Sequence, residues 1–254
     1  MIAPFLWMLS TAFKGGGAIF DYPPSWISSP VTLENFREVW TVVPFGRYLF
    51  NSLFIAICVT IGEVLTSALA AYAFARLRFP GRDALFLMYL ATLMIPGQVT
   101  VIPNFILMRY LGWINTYQGL IIPTAFTAFG TFLLRQYFLS IPRELEEAAR
   151  VDGAGYFEIW WRIIIPLASP AIATLGVFSF MGAWNSFLWP FIMVSASEMR
   201  TLTVALRSLQ TQYATEWGMM MAGSLIAMLP MLAIFLSAQR YFVRGIATTG
   251  FGGR

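Results

Sequence analysis

The sequence contains no histidine, one cysteine and one lysine, and only 11% of its residues are charged. Without histidine, a Ser-His-Asp or Cys-His catalytic set is excluded. The single cysteine, Cys58, excludes an internal disulfide and a cysteine-rich metal site. The single lysine, Lys14, stands outside any G-x-x-x-x-G-K-[ST] pattern, so the chain has no phosphate-binding loop of its own. We therefore expect no catalytic site, no metal site and no ATPase activity in this chain.

Apolar residues are what the sequence has in excess. They make up 58% of the chain, and the mean hydropathy is +0.70, too high for a water-soluble globule of 254 residues. A membrane-spanning helix needs about 20 mostly apolar residues. Five stretches meet this requirement: Asn51–Phe74, Ala84–Met108, Gln118–Phe138, Ala171–Val194 and Gly218–Phe242. The sequence therefore predicts an all-α polytopic membrane protein.

The positive charges predict the orientation of these spans. Three arginines crowd the short connector 76–83, whereas the cations of the long segment 14–49 are widely spaced. Because loops rich in Lys and Arg stay in the cytoplasm, we expect the connector, the segment 139–170 and the tail 243–254 to be cytoplasmic. The segment 14–49 then lies outside. The net charge of +4 reflects this topology and requires no nucleic-acid partner.

The first fifty residues contain one short apolar stretch and one predicted surface helix. Met1–Phe13 is apolar but too short to cross a membrane alone. Pro23-Pro24-Ser25-Trp26 predicts a turn, and Thr32 is a suitable cap for a short helix that follows it.

The segment 139–170 has the pattern of a short helix, a turn and a second helix. Pro142 fixes a helical φ, and the glutamates after it favour the positive end of the helix dipole, so a helix is predicted from about 142 to 152. Gly153 is expected to end this helix in the left-handed conformation. One face carries mainly small side chains, which would let a partner approach closely: Leu145, Ala148, Ala149 and Asp152.

A second amphipathic stretch, Tyr156–Ile165, runs into Pro166, which is expected to stop or kink it. Together these helices resemble the cytoplasmic signature of the permeases of ATP-binding cassette (ABC) importers: E-A-A, three residues, G, nine residues, I, one residue, L-P. The matching residues are Glu147-Ala148-Ala149, Gly153, Ile163, Ile165 and Pro166, with Ile165 in place of Leu.

Further motifs along nearly the whole chain resemble the carbohydrate-uptake branch of these binding-protein-dependent permeases, the maltose, trehalose and glycerol-phosphate type. They are Thr32-Leu33-Glu34-Asn35-Phe36, Arg78-Phe79-Pro80-Gly81, Ile95-Pro96-Gly97-Gln98, Gly112-Trp113-Ile114-Asn115-Thr116-Tyr117, Trp184-Asn185 and Trp189-Pro190.

The resemblance implies a single permease domain over 1–254, with the six-helix core of type I importers. Met1–Phe13 would be the outer half of the first helix, whose preceding part lies outside this sequence. The implied partners are a second permease in a heterodimer, an ATPase dimer that holds ATP and Mg, and an extracytoplasmic solute-binding protein. The chain itself would bind no cofactor and would lie, multi-pass, in a bacterial or archaeal plasma membrane.

The resemblance also implies roles for the signature residues. It assigns ATPase coupling to Glu147, Ala148, Ala149, Asp152, Gly153 and Pro166. Glu147 would meet a cationic group of the ATPase, while Ala148 and Ala149 would permit close contact. Asp152 would cap the helix or pair locally, and Pro166 would fix the angle at which the segment enters the membrane.

Two features point to a substrate path. Ile95–Pro103 cannot run as an unbroken helix. Such a break either lines a water-filled cavity or has its open backbone groups hydrogen-bonded by neighbouring helices. Gln98 and Asn104 are the polar side chains that this part of the chain would contribute to a path. Trp184 and Asn185 combine an aromatic face with an amide, which suits a sugar, although the amide can equally bond a neighbouring helix.

Glu63 is an acid in the middle of a predicted span, where a charge costs about 2.5–3.5 kcal/mol. Three interpretations of this carboxyl are open: a structural pair with another side chain, a protonated carboxyl, and a contact with the substrate.

The sequence as a whole predicts the permease of a sugar importer. A permease for glycerol 3-phosphate or another polyol derivative is the alternative, and a membrane enzyme or an assembly scaffold is the alternative from another class.

Overall fold

A computed structural model of the chain describes residues 2–23, 25–26, 31–209 and 216–249. These residues form helices, turns and bends and contain no strand, in agreement with the predicted all-α class. Their α-helices are α1 Ala3–Ala12, α2 Glu34–Val42, α3 Phe45–Arg76, α4 Arg82–Ala91, α5 Gly97–Tyr110, α6 Tyr117–Ile121, α7 Ala128–Ser140, α8 Glu144–Val151, α9 Tyr156–Ile159, α10 Ile165–Leu167, α11 Ser169–Trp184, α12 Leu188–Met193, α13 Leu202–Ser208 and α14 Trp217–Thr249.

Two of these helices are long and apolar enough to cross a membrane alone, namely α3 and the part of α14 over Trp217–Ser237. They confirm the first and last predicted spans. Three bent pairs satisfy the same test when each counts as one span, which brings the described residues to as many as five spans. The pairs are Arg82–Met94 with Gly97–Tyr110, Tyr117–Thr124 with Ala128–Ser140, and Tyr156–Leu167 with Ser169–Trp184, bent by 98°, 44° and 79°.

The 98° bend confirms the predicted break in the second of the five stretches. A 3-10 turn, Thr92–Met94, ends α4, and α5 begins at Gly97 after Pro96. Pro96 has φ −58° and ψ 129° and occupies the N-cap position of the new helix. The break is confined to Ile95–Pro96, and Pro103 lies inside α5.

The 44° bend divides a stretch that was predicted to be one helix, Gln118–Phe138. A 3-10 turn over Ile122–Thr124, with proline at its start, separates α6 from α7. The carbonyl of Ala125, left outside the helices, accepts a hydrogen bond from Thr66 Oγ1 of α3 at 2.9 Å. Gly62 allows this approach, since a Cβ there would lie 2.8 Å from the Cβ of Ala125.

The predicted span Ala171–Val194 is wrong as a single helix. α11 ends at Trp184, and α12 begins only at Leu188. Pro190 has no N–H to donate to the carbonyl four residues earlier, that of Ser186. This carbonyl instead accepts a hydrogen bond from Thr203 Oγ1 at 2.8 Å, so a distant residue stabilises the break.

The chain divides into two compact units. The first comprises Met1–Phe54, Ile114–Thr116 and Trp184–Ala233, and the second comprises Ile55–Trp113, Tyr117–Ala183 and Ile234–Arg254. The second unit contains a cluster of buried apolar residues contributed by α3, α7, the 156–168 segment and α11. Its members are Ala68, Ala71, Tyr72, Ala75, Leu134, Phe138, Ile141, Ile159, Trp160, Ile164, Ala168, Ala171 and Leu175.

In the first unit, hydrogen bonds from polar side chains connect different parts of the N-terminal segment with one another. Thr32 Oγ1 accepts a hydrogen bond from the Glu34 N–H, which confirms the predicted start of a short helix, α2. Asn35 Nδ2 donates to the carbonyls of Ala12 and Lys14 at 2.9 and 2.7 Å. The Lys14 side chain is buried and donates to the Ser25 carbonyl. Pro24, within the predicted turn, lies outside the described residues.

Asn115 organises a second part of the first unit. It adopts a left-handed conformation with φ +58°, which Asn tolerates better than most residues. Its Oδ1 accepts hydrogen bonds from the N–H groups of Ser195 and Ala196 at 2.7 and 2.9 Å. Its own N–H donates to the Met193 carbonyl at 3.1 Å. One side chain thus fixes the connector that follows α12.

We expect Asn115→Ala to lower the free energy of unfolding by about 1–2 kcal/mol, because alanine loses these acceptor interactions and is strained at positive φ. Asn115→Gly loses the same acceptor oxygen but is unstrained at positive φ, so it should lose less than alanine, whereas Asn115→Asp keeps an acceptor oxygen and should stay closest to the parent. Melting temperatures in detergent, followed by tryptophan fluorescence, measure this order. Equal melting temperatures for Ala and Asp would contradict it.

Candidate functional site

The predicted docking helix is present as α8, Glu144–Val151, within the predicted range of about 142–152. Three glutamates lie in its first turn and Arg150 in its last, which favours both ends of the helix dipole. Glu147, Ala148 and Asp152 are exposed. These three residues are therefore accessible to a partner.

Gly153 ends α8 as predicted, with φ +88°. Its N–H donates to the Arg150 carbonyl at 3.0 Å, and the N–H of Ala154 donates to the Ala149 carbonyl at 2.9 Å. These two bonds form a Schellman motif, in which the glycine position requires the left-handed region. The turn redirects the chain into the next helix, which begins at Tyr156.

A buried ion pair attaches α8 to the rest of the second unit. Arg76 Nε lies 2.9 Å from Glu146 Oε1, and the two side chains are 2% and 6% exposed. Arg76 Nη2 also donates to the carbonyls of Phe138 and Ile141, where α7 ends. One guanidinium thus connects the last residue of α3, the end of α7 and the inner face of α8.

The inner face of α8 packs on the apolar cluster. Ala149 and Ala154 are partly buried against it, and Ile159 and Ile164 are fully buried within it. Ala149 therefore differs from the sequence analysis, which places it with Ala148 on the partner face. The reason is that Glu146, three residues earlier on the same face, is held inward by Arg76.

The helix that contains Pro166 kinks, which is one of the two outcomes expected for this proline, and does not stop at Ile165. The five residues Trp160–Ile164 form a π-helix, and α10 continues to Leu167 before the 79° bend at Ala168. A proline cannot donate to the carbonyl four residues before it, and a π-bulge is one of the ways in which a helix accommodates an interruption. The change of direction follows Pro166 by two residues.

A cavity of about 260 Å³ lies beside α8. Its charged lining residues are four arginines and two glutamates. The complete lining is Arg76, Leu77, Arg78, Arg143, Glu146, Glu147, Arg150 and Tyr156. The guanidinium of Arg150 lies over the Tyr156 ring, 4.8 Å from its centroid. The charged lining of this cavity is therefore predominantly cationic.

The residues predicted for the substrate path lie in different units. Gln98 and Asn104 belong to the second unit and are exposed on α5, after its 98° bend. Trp184 and Asn185 belong to the first unit. Trp184 is buried, and its Nε1 donates to the Ala227 carbonyl of α14 at 3.1 Å. Asn185 is exposed at the end of α11, with Nδ2 3.9 Å from Met231 Sδ.

Glu63 lies half-buried in the middle of α3, close to the Ser179 hydroxyl of α11. No basic side chain forms an ion pair with it in the described part of the chain. Of the three interpretations, an ion pair within this chain is therefore not supported.

Sequence reasoning did not identify Arg76, Glu146 and Asn115 as residues of special importance. Arg76 entered only as a topological charge and Glu146 only as one of three acids near a helix start. The available signal was the helical period, since Glu146 shares a face with Ala149 and Gly153. The partner of Asn115 is 80 residues away, and no local pattern reveals such a contact.

Comparison with known proteins places this geometry in a family. The family profile of the inner membrane component of binding-protein-dependent transport systems matches residues 63–248. The match covers α8, the turn at Gly153 and the following helices.

Two curated relatives are similar over most of their length. The sn-glycerol-3-phosphate transport system permease protein UgpE of Yersinia enterocolitica is 36% identical over 236 residues, which cover 90% of this chain and 84% of the relative. The arabinooligosaccharides transport system permease protein AraQ of Halalkalibacterium halodurans is 34% identical over 245 residues, with coverages of 96% and 86%.

A solved structure has the same fold. A chain from the crystal structure of a bacterial ABC transporter involved in the import of the acidic polysaccharide alginate superposes with a TM-score of 0.86 and 25% sequence identity, covering 95% of this chain and 90% of that chain. The protein therefore belongs to the family of inner membrane components of binding-protein-dependent transport systems, as the permease subunit of an ABC importer whose ATP is hydrolysed by a partner ATPase.

Proposed function

We propose that this chain forms one half of a sugar translocation path and that α8 couples this path to the ATPase. The observation that carries the proposal is the two-sided arrangement of α8: Glu147, Ala148 and Asp152 are exposed, while Glu146 and Ala149 are fixed to the second unit. A helix that is open on one face and anchored on the other can transmit a displacement.

The coupling proceeds through the buried pair. Closure of the ATPase displaces α8, and because Arg76 joins Glu146 to the ends of α3 and α7, these helices move with it. Ala148 permits close contact, Gly153 fixes the turn, and the π-helix before Pro166 transmits the displacement to α11. Ala149 contributes through the inner contact, and Asp152 lies at the exposed end of α8.

The assembly that we propose contains a second permease subunit, an ATPase dimer with ATP and Mg, and an extracytoplasmic solute-binding protein. The chain would lie as a multi-pass protein in the plasma membrane of a bacterium or an archaeon. The segment 14–49 and the connector after α12 would face the solute-binding protein, while the segment 139–170 and the tail 243–254 would be cytoplasmic. The family description, which names an inner membrane component and a binding protein, supports this arrangement.

A neutral sugar is the substrate class that we favour. A relative transports arabinooligosaccharides according to its name, and the path residues Gln98, Asn104 and Asn185 are neutral amides. The Trp184 side-chain N–H already donates a hydrogen bond to the Ala227 carbonyl of α14. Trp184 would therefore position Asn185 through its packing on this helix.

Glycerol 3-phosphate is the second candidate, because another relative is named for its transport. A phosphate would require a cation in the path. Arg135, within the third predicted span, is committed elsewhere: it donates to the Phe74 carbonyl and lies 4.1 Å from the centroid of the Phe86 ring. The side chain of Arg240 lies outside the described residues. Uptake of labelled maltose and labelled glycerol 3-phosphate in the same liposomes separates the two candidates.

The test of coupling is the charge reversal Glu147→Arg. We expect the variant to insert normally but to lose substrate-stimulated ATP hydrolysis and to retain little ATPase on purification, because its new charge would oppose a cationic group of the partner. Glu34→Arg is the matched control for ATPase recovery, with the same change on an exposed residue of the segment 14–49, which is proposed to lie on the opposite side of the membrane from the ATPase. Parental ATPase recovery and uptake by Glu147→Arg would disprove the proposed role of α8.

A further inference from the structure

The cavity beside α8 is lined by more arginines than form ion pairs with carboxylates of this chain. Its four arginines face two glutamates, and one arginine–glutamate pair, Arg76 with Glu146, is satisfied internally. Arg78, Arg143 and Arg150 are exposed. All twelve side-chain carboxylates of the sequence lie in the described ranges, and none of them forms an ion pair with these three arginines.

The three arginines come from two separate segments. Arg78 lies in the connector between α3 and α4, and the other two flank α8, at its N-cap and in its last turn. Stacking on Tyr156 holds the guanidinium of Arg150 over the ring. Planar guanidinium groups around one opening suit a carboxylate, which can accept two parallel hydrogen bonds from a single arginine.

We propose that this cavity receives a carboxylate side chain of the ATPase partner. The inference rests on the proposed function and extends it, because the contact would include the α3–α4 connector as well as α8. Glu147 also lines the cavity, so the partner should present an acidic residue for the arginines next to a basic residue for Glu147. Two opposite charges at fixed positions would set how the permease and the ATPase align, and they would favour the cognate ATPase over one with a different charge pattern.

The lining argues against an anionic lipid as the occupant. A phospholipid headgroup would need an apolar wall for its chains, whereas Leu77 is the single aliphatic residue in the lining. Glu147, which also lines the cavity, would repel a phosphate. A protein carboxylate accompanied by a cation satisfies both the arginines and Glu147.

The lysine content of this chain permits a direct test. Lys14 is the one native lysine and is 1% exposed, so a carbodiimide, which joins an amine directly to a touching carboxylate, has almost no native amine side chain to act on. We expect Arg78→Lys, Arg143→Lys or Arg150→Lys, each in the complex with the cognate ATPase, to give an amide bond to an Asp or Glu of the ATPase, located by mass spectrometry. The reversal Arg143→Glu should weaken ATPase binding by about tenfold, and reversing the cross-linked acid should restore it.

Arg162→Lys is the matched control. Arg162 is exposed on the following helical segment and pairs with Glu158 at 2.7 Å, so its lysine should cross-link within the chain and show that the reagent is active. An intact complex without a bond from the cavity lysines to the ATPase would overturn the inference, as would loss of co-purified phospholipid from Arg143→Glu in native mass spectrometry with ATPase binding unchanged. Absence of ATPase from the parent preparation would instead refute the proposed function itself.

Discussion

Arg76→Met is expected to lower the free energy of unfolding by about 3–5 kcal/mol, because it leaves the buried Glu146 carboxylate without its counter-ion. The carbonyls of Phe138 and Ile141 lose a donor in the same change. Since α8 would no longer be fixed to α3 and α7, ATP hydrolysis should also become uncoupled from uptake. Melting in detergent gives the stability, and hydrolysis and uptake in the same liposomes give the coupling.

The exposed pair of Arg162 with Glu158 is the control for burial. Its N···O distance of 2.7 Å is as short as that of the buried pair, but its side chains are 74% and 45% exposed. Arg162→Met should therefore cost only about 0.3–0.5 kcal/mol. In addition, the double variant Arg76→Met/Glu146→Leu should recover part of the lost stability, because no uncompensated charge remains. Similar losses for Arg76→Met and Arg162→Met would refute this account.

Gly153→Pro is expected to abolish uptake while the protein still inserts into the membrane. Proline fixes φ near −65°, whereas this position has φ +88°, and it removes the N–H that donates to the Arg150 carbonyl. The Schellman motif cannot form, so the helix from Tyr156 would no longer be held in its direction relative to α8. We expect a cost of about 3 kcal/mol or more, with membrane recovery near that of the parent and substrate-stimulated ATP hydrolysis lost.

Two alanine variants separate backbone conformation from steric effects. Neither Gly153 nor Gly155 has a heavy atom within 4 Å of a Cβ built on it, but only Gly153 has positive φ. Gly153→Ala should therefore cost about 1–2 kcal/mol, and Gly155→Ala, at φ −76°, should be nearly neutral. Uptake by Gly153→Pro at the parental rate would show that the turn is not needed for coupling.

Helix breaks show how far local sequence predicts this fold. The break at Ile95–Pro96 follows from proline chemistry and was predicted. The break after Trp184 also involves a proline, Pro190, but its position depends on Thr203, which satisfies the open Ser186 carbonyl. Because a distant hydroxyl forms a hydrogen bond with the open carbonyl, a break at this turn costs less free energy than a break at a neighbouring turn. The sequence alone does not reveal that hydroxyl.

The docking helix also has features that local sequence predicts and features that only tertiary contacts decide. Its limits and its terminal glycine were predicted, because dipole charges and left-handed glycine act within one or two turns. The inward face was not predicted, because the helical period groups Glu146 with Ala149 and Gly153 but does not say which face of the helix is buried. Only Arg76, from another helix, makes Glu146 the buried one and leaves Glu147 exposed.

By itself, the sequence determined that this is a helical membrane protein, roughly where its spans lie, and which segment carries the permease signature. These properties depend on apolar length and on the local preferences of proline, glycine and charged residues. The tertiary structure alone decided which glutamate is buried, where two of the spans break and which arginines remain without a counter-ion. Each of these depends on contacts between residues far apart in sequence, such as Arg76 with carbonyls 62 and 65 positions away, and only the packed helices bring those partners together.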